Sequence, residues 1–297
     1  MPTIQERRTL DEKEQSHFAG ATDVPAEVAL NGGKHYLASK IVALMPPHLH
    51  YVEPFFGGGS VMLATDPEGR SEVANDINGN LFNFWNVLQS DVLFPLLVRR
   101  LNATPFGEHF WKNTEWQLTD PDELFDADVK GRSINRAISF FIRCRQSLAG
   151  RMKSFAPLSK TRVRRGMNEQ ASAWLNAVDG LPAVHARLKR VVILNRDAVD
   201  VIHEQDGKET LFYCDPPYLH ETRVSTDAYA HEMTEVEHAI LLSKISGCDG
   251  KVMLSGYRSS LYDERLRDWN RHDFSLPNNA AGGGTKRRMT ECLWCNF

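Results

Sequence analysis

Two short stretches of the sequence combine residue types that could hold a small ligand and act on it. The first, VEPFFGGGS, places Glu53, Phe55 and the glycines Gly57 to Gly59 directly after an apolar run. Glycine lacks the Cβ atom that would keep a ligand away from the backbone, so such a turn after a strand suits the floor of a ligand site. Because the stretch matches neither G-x-G-x-x-G nor the P-loop pattern, it does not indicate a phosphate cradle.

An acidic residue follows at a spacing that suits a nucleoside. Asp76 lies 23 residues after Glu53, at the end of the second predicted strand, SEVAND. A carboxylate at this position can accept both hydrogen bonds of a ribose diol. A nucleoside without a pyrophosphate fits both features, which favours S-adenosylmethionine (SAM) over NAD. The alternative is a tight structural turn beside a capping aspartate, and this stretch alone does not separate the two.

The second stretch, YCDPPY, ends another apolar run with Asp215, Pro216, Pro217 and Tyr218. Two prolines stiffen the backbone and remove two N–H donors, so carbonyl acceptors remain beside an ionised carboxylate. Such a rim suits an exocyclic amine, because the acceptors take the amine protons and leave the lone pair free for attack. The Tyr218 ring offers a surface on which a base can stack. The alternative is a strand-terminating turn with an exposed aspartate.

These stretches together resemble the SAM-dependent DNA adenine-N6 methyltransferases of the Dam (D12) class. The similarity extends upstream to NGGKHYLASKI and downstream to GGGTKRRMTECLWCNF, so it covers about residues 28–88 and 188–297. The order of the motifs, with the cofactor motif first, a recognition domain next and DPPY last, resembles the α group of the amino-methyltransferases.

The resemblance implies a role for individual residues of this chain. Lys34 is expected near the SAM carboxylate, the VEPFFGGGS residues along the methionine side, Asp76 at the ribose hydroxyls and Ile77 over the adenine. Asp197 is expected to reach the cofactor adenine. The implied cofactor-binding residues are Leu30, Lys34, Glu53, Phe55, Gly57, Gly59, Asp76, Ile77, Asp197 and Asp215. Leu30 is a departure, because the family often has an aromatic residue four positions before the lysine.

The resemblance also implies the catalytic residues and the reaction. Asp215 and Pro216 are expected to bind the target amine, and Tyr218 is expected to stack on a flipped-out adenine. Pro217 completes the catalytic DPPY motif. The predicted reaction is a direct in-line attack of adenine N6 on the SAM methyl group. Strand alternation points Cys214 away from Asp215, so a cysteine nucleophile is not expected. Two alternatives stay open: N4-cytosine methylation, and a non-catalytic DNA-binding protein that retains the fold.

The segment from Lys130 to Arg190 is strongly basic. It carries 14 Lys and Arg residues against two acids, although the whole chain has a net charge of −3. The segregation predicts a face that binds a polyanion, here double-stranded DNA, on an otherwise acidic body; the alternative is a solvated helical surface. The predicted DNA-binding residues are Arg143, Arg145, Arg151, Lys153, Arg162, Arg164, Arg165, Lys286, Arg287 and Arg288.

The elements that must position these residues alternate between strands and helices. Strands are predicted at HYVEPF, SEVAND, RVVILNRD, TLFYCDPPY, GKVMLSGY and TKRRMTECLWCNF, and helices at KHYLASKIVALM, INGNLFNFWNVLQ, AVDVIHEQ, TEVEHAILLSKISG and SSLYDERLRDW. A helix capped by Ser60 is predicted at SVMLAT, which would make Tyr51 to Asp76 a βαβ unit. Residues 90–185 break the alternation.

The predicted fold is therefore an α/β, Rossmann-like SAM-dependent methyltransferase sheet with an inserted, mainly helical, basic target-recognition domain. Residues 1–27 are predicted as a flexible arm, residues 28–89 and 186–297 as the SAM-binding catalytic domain, and residues 90–185 as the DNA target-recognition insert.

The sequence predicts neither a membrane-spanning segment nor a metal site. No apolar run approaches the ~20 residues that span a bilayer, and the charged N-terminus does not resemble a signal peptide. Five scattered cysteines suit a reducing cytoplasm, and the single Cys292/Cys295 pair is not expected to bind zinc. The resemblance implies a cytoplasmic protein that is bacterial, archaeal or phage-encoded. Neither an oligomeric state nor a target DNA sequence is indicated.

Overall fold

The fold comes from a computed structural model, which describes residues 34, 36–115, 118, 128, 131–222, 231–277 and 288–297. The predicted N-terminal arm, Leu30, Lys286, Arg287 and the Gly282–Gly284 loop lie outside the described residues. The chain divides into two compact units. The sheet unit comprises Pro46–Gly57, Gly69–Phe82 and Val191–Phe297, and the helical unit comprises Met1–Met45, Gly58–Glu68 and Asn83–Arg190.

The strands of the described residues belong to two sheets. They are β1 (His50–Glu53), β2 (Ser71–Asn75), β3 (Val163–Arg164), β4 (Met167–Asn168), β5 (Val191–Leu194), β6 (Thr210–Cys214), β7 (Lys251–Gly256), β8 (Asn270–Pro277) and β9 (Arg288–Cys295). Strands β3 and β4 form a hairpin in the helical unit, and the other strands form one sheet in the order β5-β2-β1-β6-β7-β9-β8.

The described residues also form ten α-helices, which precede, follow or lie between the strands in the sequence. They are α1 (Ala38–Val42), α2 (Gly79–Gln89), α3 (Phe94–Asn102), α4 (Glu108–Lys112), α5 (Ile134–Arg145), α6 (Glu169–Asp179), α7 (Leu181–Leu188), α8 (Ala198–Gln205), α9 (Glu235–Ser246) and α10 (Ser260–Arg265). Thr234 caps α9: its hydroxyl accepts from the Glu237 N–H, and the Glu237 carboxylate accepts from the Thr234 N–H.

The large sheet has the predicted α/β topology. Strands β5, β2, β1, β6 and β7 are mutually parallel, whereas β9 runs antiparallel between β7 and β8. The chain lays down β1, moves outward through β2 to β5, and then returns to add β6 on the other side of β1. This reversal is the topological switch point of a doubly wound sheet. The fold class predicted from the sequence is confirmed at this level.

The two faces of the sheet differ in chemistry because successive strand residues point to opposite sides. One face is apolar and packs on helices. Its core contains Val52, Phe212, Cys214, Val252, Leu254 and Trp294 from the strands together with Val201, Ile202, Leu241, Leu242 and Ile245 from α8 and α9. The other face buries polar side chains near the carboxyl ends of the central strands, namely Tyr51, Glu53, Tyr213 and Ser255, and Glu291 on the antiparallel β9.

The helical unit has an aromatic core of its own. The Phe84 and Phe141 rings stack with their centroids 5.6 Å apart, and Trp174 packs on Phe141 at the same separation. Helix α5 begins at Ser133, whose hydroxyl accepts from the Arg136 N–H. These contacts lie within the helical unit.

Three predicted helices differ in the structure. The helix predicted at KHYLASKIVALM spans only Ala38–Val42. The helix predicted at Ser60 is a single 3₁₀ turn, Met62–Ala64, which starts after Val61 and has no side-chain cap. The segment ends there because Thr65 turns back to the Met62 carbonyl. The last helix stops at Arg265 instead of continuing to Trp269, because the chain turns into strand β8, which pairs along its full length with β9.

No single helix among the described residues is long and apolar enough to cross a bilayer. By length and composition alone, α2 and α3 would pass together as a pair bent by 104°.

Candidate active site

The predicted ligand motifs meet at one edge of the sheet unit. Glu53 is the last residue of β1, Asp76 follows β2, and Asp215 follows β6, the neighbour of β1. Parallel strands present their carboxyl ends at the same edge, and the switch point between β1 and β6 opens a crevice there. The topology therefore places the glycine-rich turn and the DPPY segment side by side, as a nucleotide-type site requires.

Asp76 ties the turn after β1 to the turn after β2. Its Oδ2 accepts from the Gly57 N–H at 2.9 Å, and its Oδ1 accepts from the Asn78 N–H at 2.9 Å. Burial raises the pKa of the Asp76 carboxyl, while the hydrogen bonds from Asn78 and Gly57 and the charge of His231 act in the opposite direction. The carboxylate is thus held in a fixed orientation with unused lone pairs on both oxygens.

Gly57 has a conformation that explains its residue type. Its φ is +50°, in the left-handed region that disfavours residues with a Cβ, yet a Cβ built there would meet no atom within 4 Å. The backbone angle, and not a lack of space, therefore requires glycine at this position. Gly59, in the helical unit, also has a positive φ, of 67°.

A buried asparagine locks the strand ends beneath this turn. The Asn75 side chain donates to the carbonyls of Pro54 and Arg196 at 3.0 Å each and accepts from the Arg196 N–H at 2.9 Å. Its carbonyl also accepts from the Phe56 N–H. One side chain thus joins the segments after β1, β2 and β5, and it was not among the predicted site residues.

Glu53 is buried within hydrogen-bond reach of a tyrosine. The Tyr51 hydroxyl donates to Glu53 Oε1 at 2.7 Å, and both side chains are at most 2% exposed. Burial, together with the nearby Glu53 carboxylate, raises the pKa of Tyr51, so the phenol keeps its proton. On β6, the Tyr213 hydroxyl pairs with the Ser255 hydroxyl at 2.9 Å. These pairs satisfy polar groups on the face that carries the candidate site.

Asp215 and Tyr218 lie in a second buried network. The Tyr218 hydroxyl contacts Asp215 Oδ1 at 3.2 Å and makes a very short contact with Glu291 Oε1 on β9. The ring is 6% exposed and meets Tyr257 edge-on, with the centroids 4.8 Å apart. Burial, followed by the charges of Asp215 and Glu291, raises the Tyr218 pKa well above the usual tyrosine range.

Cys214 lies on the opposite side of its strand from Asp215, as strand alternation predicted. It is part of the apolar core, and burial raises the pKa of its thiol far above the usual range. A buried thiol with that pKa is protonated at neutral pH and is a poor nucleophile.

The other predicted cofactor residues occupy different settings. Ile77, beside Asp76, is 51% exposed, so its apolar surface is open to a ligand. Phe55 is partly buried against the apolar core. Asp197 is exposed and caps α8 by accepting from the Val199 N–H at 2.8 Å. Its contact with the cofactor adenine stays a prediction. Lys34 is buried and belongs to the helical unit.

Five of the ten predicted DNA-binding residues lie on the surface of the helical unit. Arg151, Lys153, Arg162, Arg164 and Arg165 are exposed, and the last three flank or form the β3–β4 hairpin. The hairpin turn is formed by Arg165 and Gly166, both with positive φ, a geometry that matches the twist of a two-residue loop. Arg145 is partly buried, and the Arg288 backbone lies in β9.

Arg143 departs from the prediction that it binds DNA. Its side chain is 8% exposed and its guanidinium lies 3.8 Å above the Trp111 ring. The same guanidinium donates to the carbonyls of Met152 and Trp111 at 3.0 and 3.3 Å. Arg143 therefore stabilises the helical unit from within, and this prediction is corrected.

Asn75, Tyr51, Tyr213, Ser255 and Glu291 were missed by the sequence analysis. Tyr51, Tyr213, Ser255 and Glu291 share a feature of the sequence that could have revealed them. Each is a polar residue in a strand, at a position that alternates with the residues of the apolar core. Such a residue is buried only if it is hydrogen-bonded, and several on one sheet face indicate a shared network.

A metal site has no support among the described residues. None of them forms a group of three or more His, Cys, Asp or Glu side chains suited to a metal ion. Cys292 and Cys295, both free, lie three positions apart on β9, so their side chains point to opposite faces of the sheet.

A doubly wound sheet with a glycine turn and a tethered aspartate at its switch point belongs to the class of α/β proteins that bind nucleoside cofactors. Comparison with known families narrows the class. The model of the D12 class N6 adenine-specific DNA methyltransferase family matches residues 31–279, and the chain belongs to this family.

Individual relatives agree with the family assignment. The chain is 28% identical over 287 residues to the Type II methyltransferase M1.LlaDCHI of Lactococcus lactis subsp. cremoris, covering 90% of this chain and 93% of the relative. It is 25% identical over 217 residues to a DNA N-6-adenine-methyltransferase of Escherichia phage P1, covering 72% of this chain and 27% of that one. A DNA adenine methylase of Vibrio cholerae is 43% identical over 60 residues, or 20% of this chain and 21% of the relative.

The family and the relatives identify the chain as a SAM-dependent DNA N6-adenine methyltransferase, which acts on DNA and uses SAM as cofactor. The resemblance drawn from the sequence is confirmed, and neither N4-cytosine methylation nor a non-catalytic DNA-binding role is the activity of this family.

Proposed function

We propose that the residues at the switch point divide the methyl transfer between them. The glycine-rich turn and Asp76 hold the cofactor, and Asp215 with Pro216 holds the adenine N6 amine. The observation that carries the proposal is the placement of Asp76 and Asp215 at one edge of the sheet. Asp76 follows β2 and Asp215 follows β6, and these strands lie on either side of β1. Asp76, a partly buried carboxylate, and Ile77, an exposed apolar side chain, offer the contacts that a ribose diol and an adenine ring need.

The residues after β6 prepare the amine for attack. When bound, SAM supplies an electrophilic methyl group on a sulfonium. The Asp215 carboxylate and the Pro216 carbonyl accept the two N6 protons, which keeps the nitrogen lone pair out of the hydrogen bonds and turned toward that methyl group. Because Pro216 and Pro217 stiffen this segment, the acceptors are held in place before the base arrives.

The first experiment identifies the product. The protein is incubated with DNA and tritiated SAM, and the nucleosides of the digested DNA are separated. N6-methyladenine is expected, whereas N4-methylcytosine would contradict the assignment of the target amine.

Replacing Asp215 tests the acceptor role. Asp215→Ala is expected to lower the rate of methyl transfer on the order of 10²- to 10³-fold, because a preoriented acceptor at the reacting amine is lost. The far-UV circular dichroism spectrum should remain close to that of the wild type, because the fold should stay intact. Asp200→Ala, which removes an exposed aspartate from α8 in the same unit, is the matched control. Equal rates for the Asp215→Ala and Asp200→Ala proteins would refute the role.

We also propose that the helical unit recognises the DNA. Its support is the excess of basic residues between Lys130 and Arg190 and the exposure of those on the β3–β4 hairpin. The name of the L. lactis relative, a Type II methyltransferase, supports a role beside a restriction enzyme in the cytoplasm of a bacterial host. Sequencing of modified adenines in DNA from cells that express the protein would reveal the target and show whether the modification is site-specific.

A further inference from the structure

Asn75 is a buried amide directly beside the aspartate of the candidate site. It is the last residue of β2, precedes Asp76 and is 1% exposed. Its Nδ2 donates to the carbonyls of Pro54 and Arg196 at 3.0 Å each, and its Oδ1 accepts from the Arg196 N–H at 2.9 Å. Both protons of the amide are used and its oxygen serves as an acceptor, which offsets the cost of burying it.

These hydrogen bonds lie where the strand pairing ends. The pairing of β1 with β2 ends one residue before Asn75, and the pairing of β2 with β5 ends at Asn75 itself. Pro54 lies just past β1 and Arg196 just past β5. The Asn75 side chain therefore continues the cross-links of the sheet into the turns that follow the strands.

The segment after β5 holds the backbone of Asp76. The Asp76 N–H donates to the Leu194 carbonyl at 3.3 Å, and the Asp76 carbonyl accepts from the Asn195 side chain at 2.7 Å. Asn195 directly precedes Arg196, whose N–H and carbonyl are both bonded to Asn75. Asn75 thus fixes the segment that fixes the Asp76 backbone.

The turn after β1 holds the side chain of Asp76. The Gly57 N–H donates to Asp76 Oδ2 at 2.9 Å, and Gly57 lies three residues after Pro54. Asn75 bonds to this turn twice, from its side chain to the Pro54 carbonyl and from its own carbonyl to the Phe56 N–H at 2.8 Å. Contacts that orient Asp76 from both sides therefore belong to segments fastened by one residue.

We infer that Asn75 is a positioning residue for SAM binding: it fixes the turns after β1 and β5 around Asp76, so that the carboxylate is oriented before the cofactor arrives. The inference rests on the proposed role of Asp76 in holding the cofactor. Asn75 is buried and acts through Asp76. A site that is ordered in advance binds more tightly, because binding then does not have to order it.

Replacing Asn75 with alanine tests the effect on the cofactor. Asn75→Ala should weaken SAM binding, measured by calorimetry, about 10-fold, because the turns lose their common partner. The KM for SAM should rise in parallel, whereas kcat at saturating SAM and DNA should stay within about threefold of the wild type, since a binding contact is weakened. Wild-type affinity for SAM, or a fall in kcat without a change in affinity, overturns the inference.

A double-mutant cycle with Asp76 separates positioning from general structural support. If Asn75 acts through the Asp76 carboxylate, Asn75→Ala should weaken SAM binding less than about twofold when it is introduced into the Asp76→Ala protein. An equal loss in both backgrounds would show that Asn75 acts independently of Asp76, and overturns the inference. If Asn75→Ala does not fold, Asn75→Ser, whose hydroxyl keeps part of the hydrogen bonding, is used in the same cycle.

Asn83 supplies a matched control in the helical unit. It is also a buried asparagine, and its side chain donates to the Ser133 carbonyl at 2.9 Å and accepts from the Ser133 N–H at 2.8 Å. Asn83→Ala should lower the midpoint of urea unfolding, as Asn75→Ala does, but leave SAM affinity unchanged. Equal losses of affinity in these two variants would trace the effect to lower stability and overturn the role of Asn75. An Asp76→Ala protein that binds SAM like the wild type instead overturns the proposed function on which the inference depends.

Discussion

At the scale of the residue, the candidate site depends on carboxylates that are buried or partly buried and that accept hydrogen bonds. Glu53 accepts from Tyr51, Asp76 from two backbone N–H groups, and Glu291 from Tyr218. Each hydrogen bond offsets part of the cost of removing the carboxylate from water and fixes its orientation. For Asp76 the desolvation cost is still the larger effect, because its pKa is raised in spite of the hydrogen bonds.

The raised pKa of Asp76 gives SAM binding a pH dependence. The ionised carboxylate is the form that accepts from a ribose diol, so affinity should be full above the pKa and should fall as pH drops through it. Because the pKa is raised, the fall begins at a higher pH than for an exposed aspartate. Calorimetric titration of SAM from neutral to mildly acidic pH measures this.

Asp76→Asn supplies the control for that titration. The amide cannot accept from both hydroxyls with a full charge, so SAM should bind about 10- to 100-fold more weakly at neutral pH. Its affinity should not change further as the solution is acidified. A pH profile that persists in Asp76→Asn would assign the titration to another group.

At the scale of the element, the glycine-rich turn is required by backbone conformation. Gly57→Ala should destabilise the protein by about 1–2 kcal/mol, the cost of a left-handed conformation for a residue with a Cβ. No clash adds to this cost, because the space around the position is open. Asparagine tolerates this conformation better, so Gly57→Asn should lose less. Urea unfolding of the wild type and the two variants measures the difference; equal losses for both variants would show that the left-handed conformation is not the cause.

The local elements were largely predictable from the sequence, whereas the pairing of distant segments was not. Apolar runs that are followed by Asp or end in Gly predicted β6 and β7, because buried parallel strands are largely apolar. Strands β1 and β2 carry polar residues and were predicted with the help of the turn residues that follow them. Strand β8 escaped prediction because NRHDFSLP is polar and is held as a strand by pairing with β9.

The candidate site divides in the same way. Asp76 and Asp215 stand out because each ends a strand beside a distinctive turn. Glu291 is 73 residues from Tyr218 in the sequence, and Asn75 reaches Arg196 across 121 residues. Only the folded sheet brings these pairs together, so residue type and local spacing do not show them. Arg143 was misassigned for a related reason: charge alone does not reveal that Trp111 covers it.

At the scale of the whole molecule, charge is separated along the chain. The Lys130–Arg190 segment carries 14 basic residues against two acids in a protein of net charge −3. Exposed arginines on the β3–β4 hairpin can neutralise DNA phosphates, and each such contact releases bound counterions from the DNA. Binding that relies on these residues must weaken as salt increases.

Replacing Arg164 or Arg267 with Gln removes one positive charge from a different part of the chain in each case, so the two variants can be compared for DNA binding. Arg164 lies exposed on the hairpin, whereas Arg267 is exposed in the sheet unit and pairs with its neighbour Asp268. Arg164→Gln should weaken DNA binding and reduce the slope of log K against log salt by about 1, as expected for one lost phosphate contact. Arg267→Gln should leave both unchanged. Fluorescence anisotropy with labelled duplex DNA over a range of salt measures the slopes. Equal slopes for the wild type and Arg164→Gln would exclude Arg164 from the DNA interface, because a phosphate contact cannot be lost without a change in counterion release.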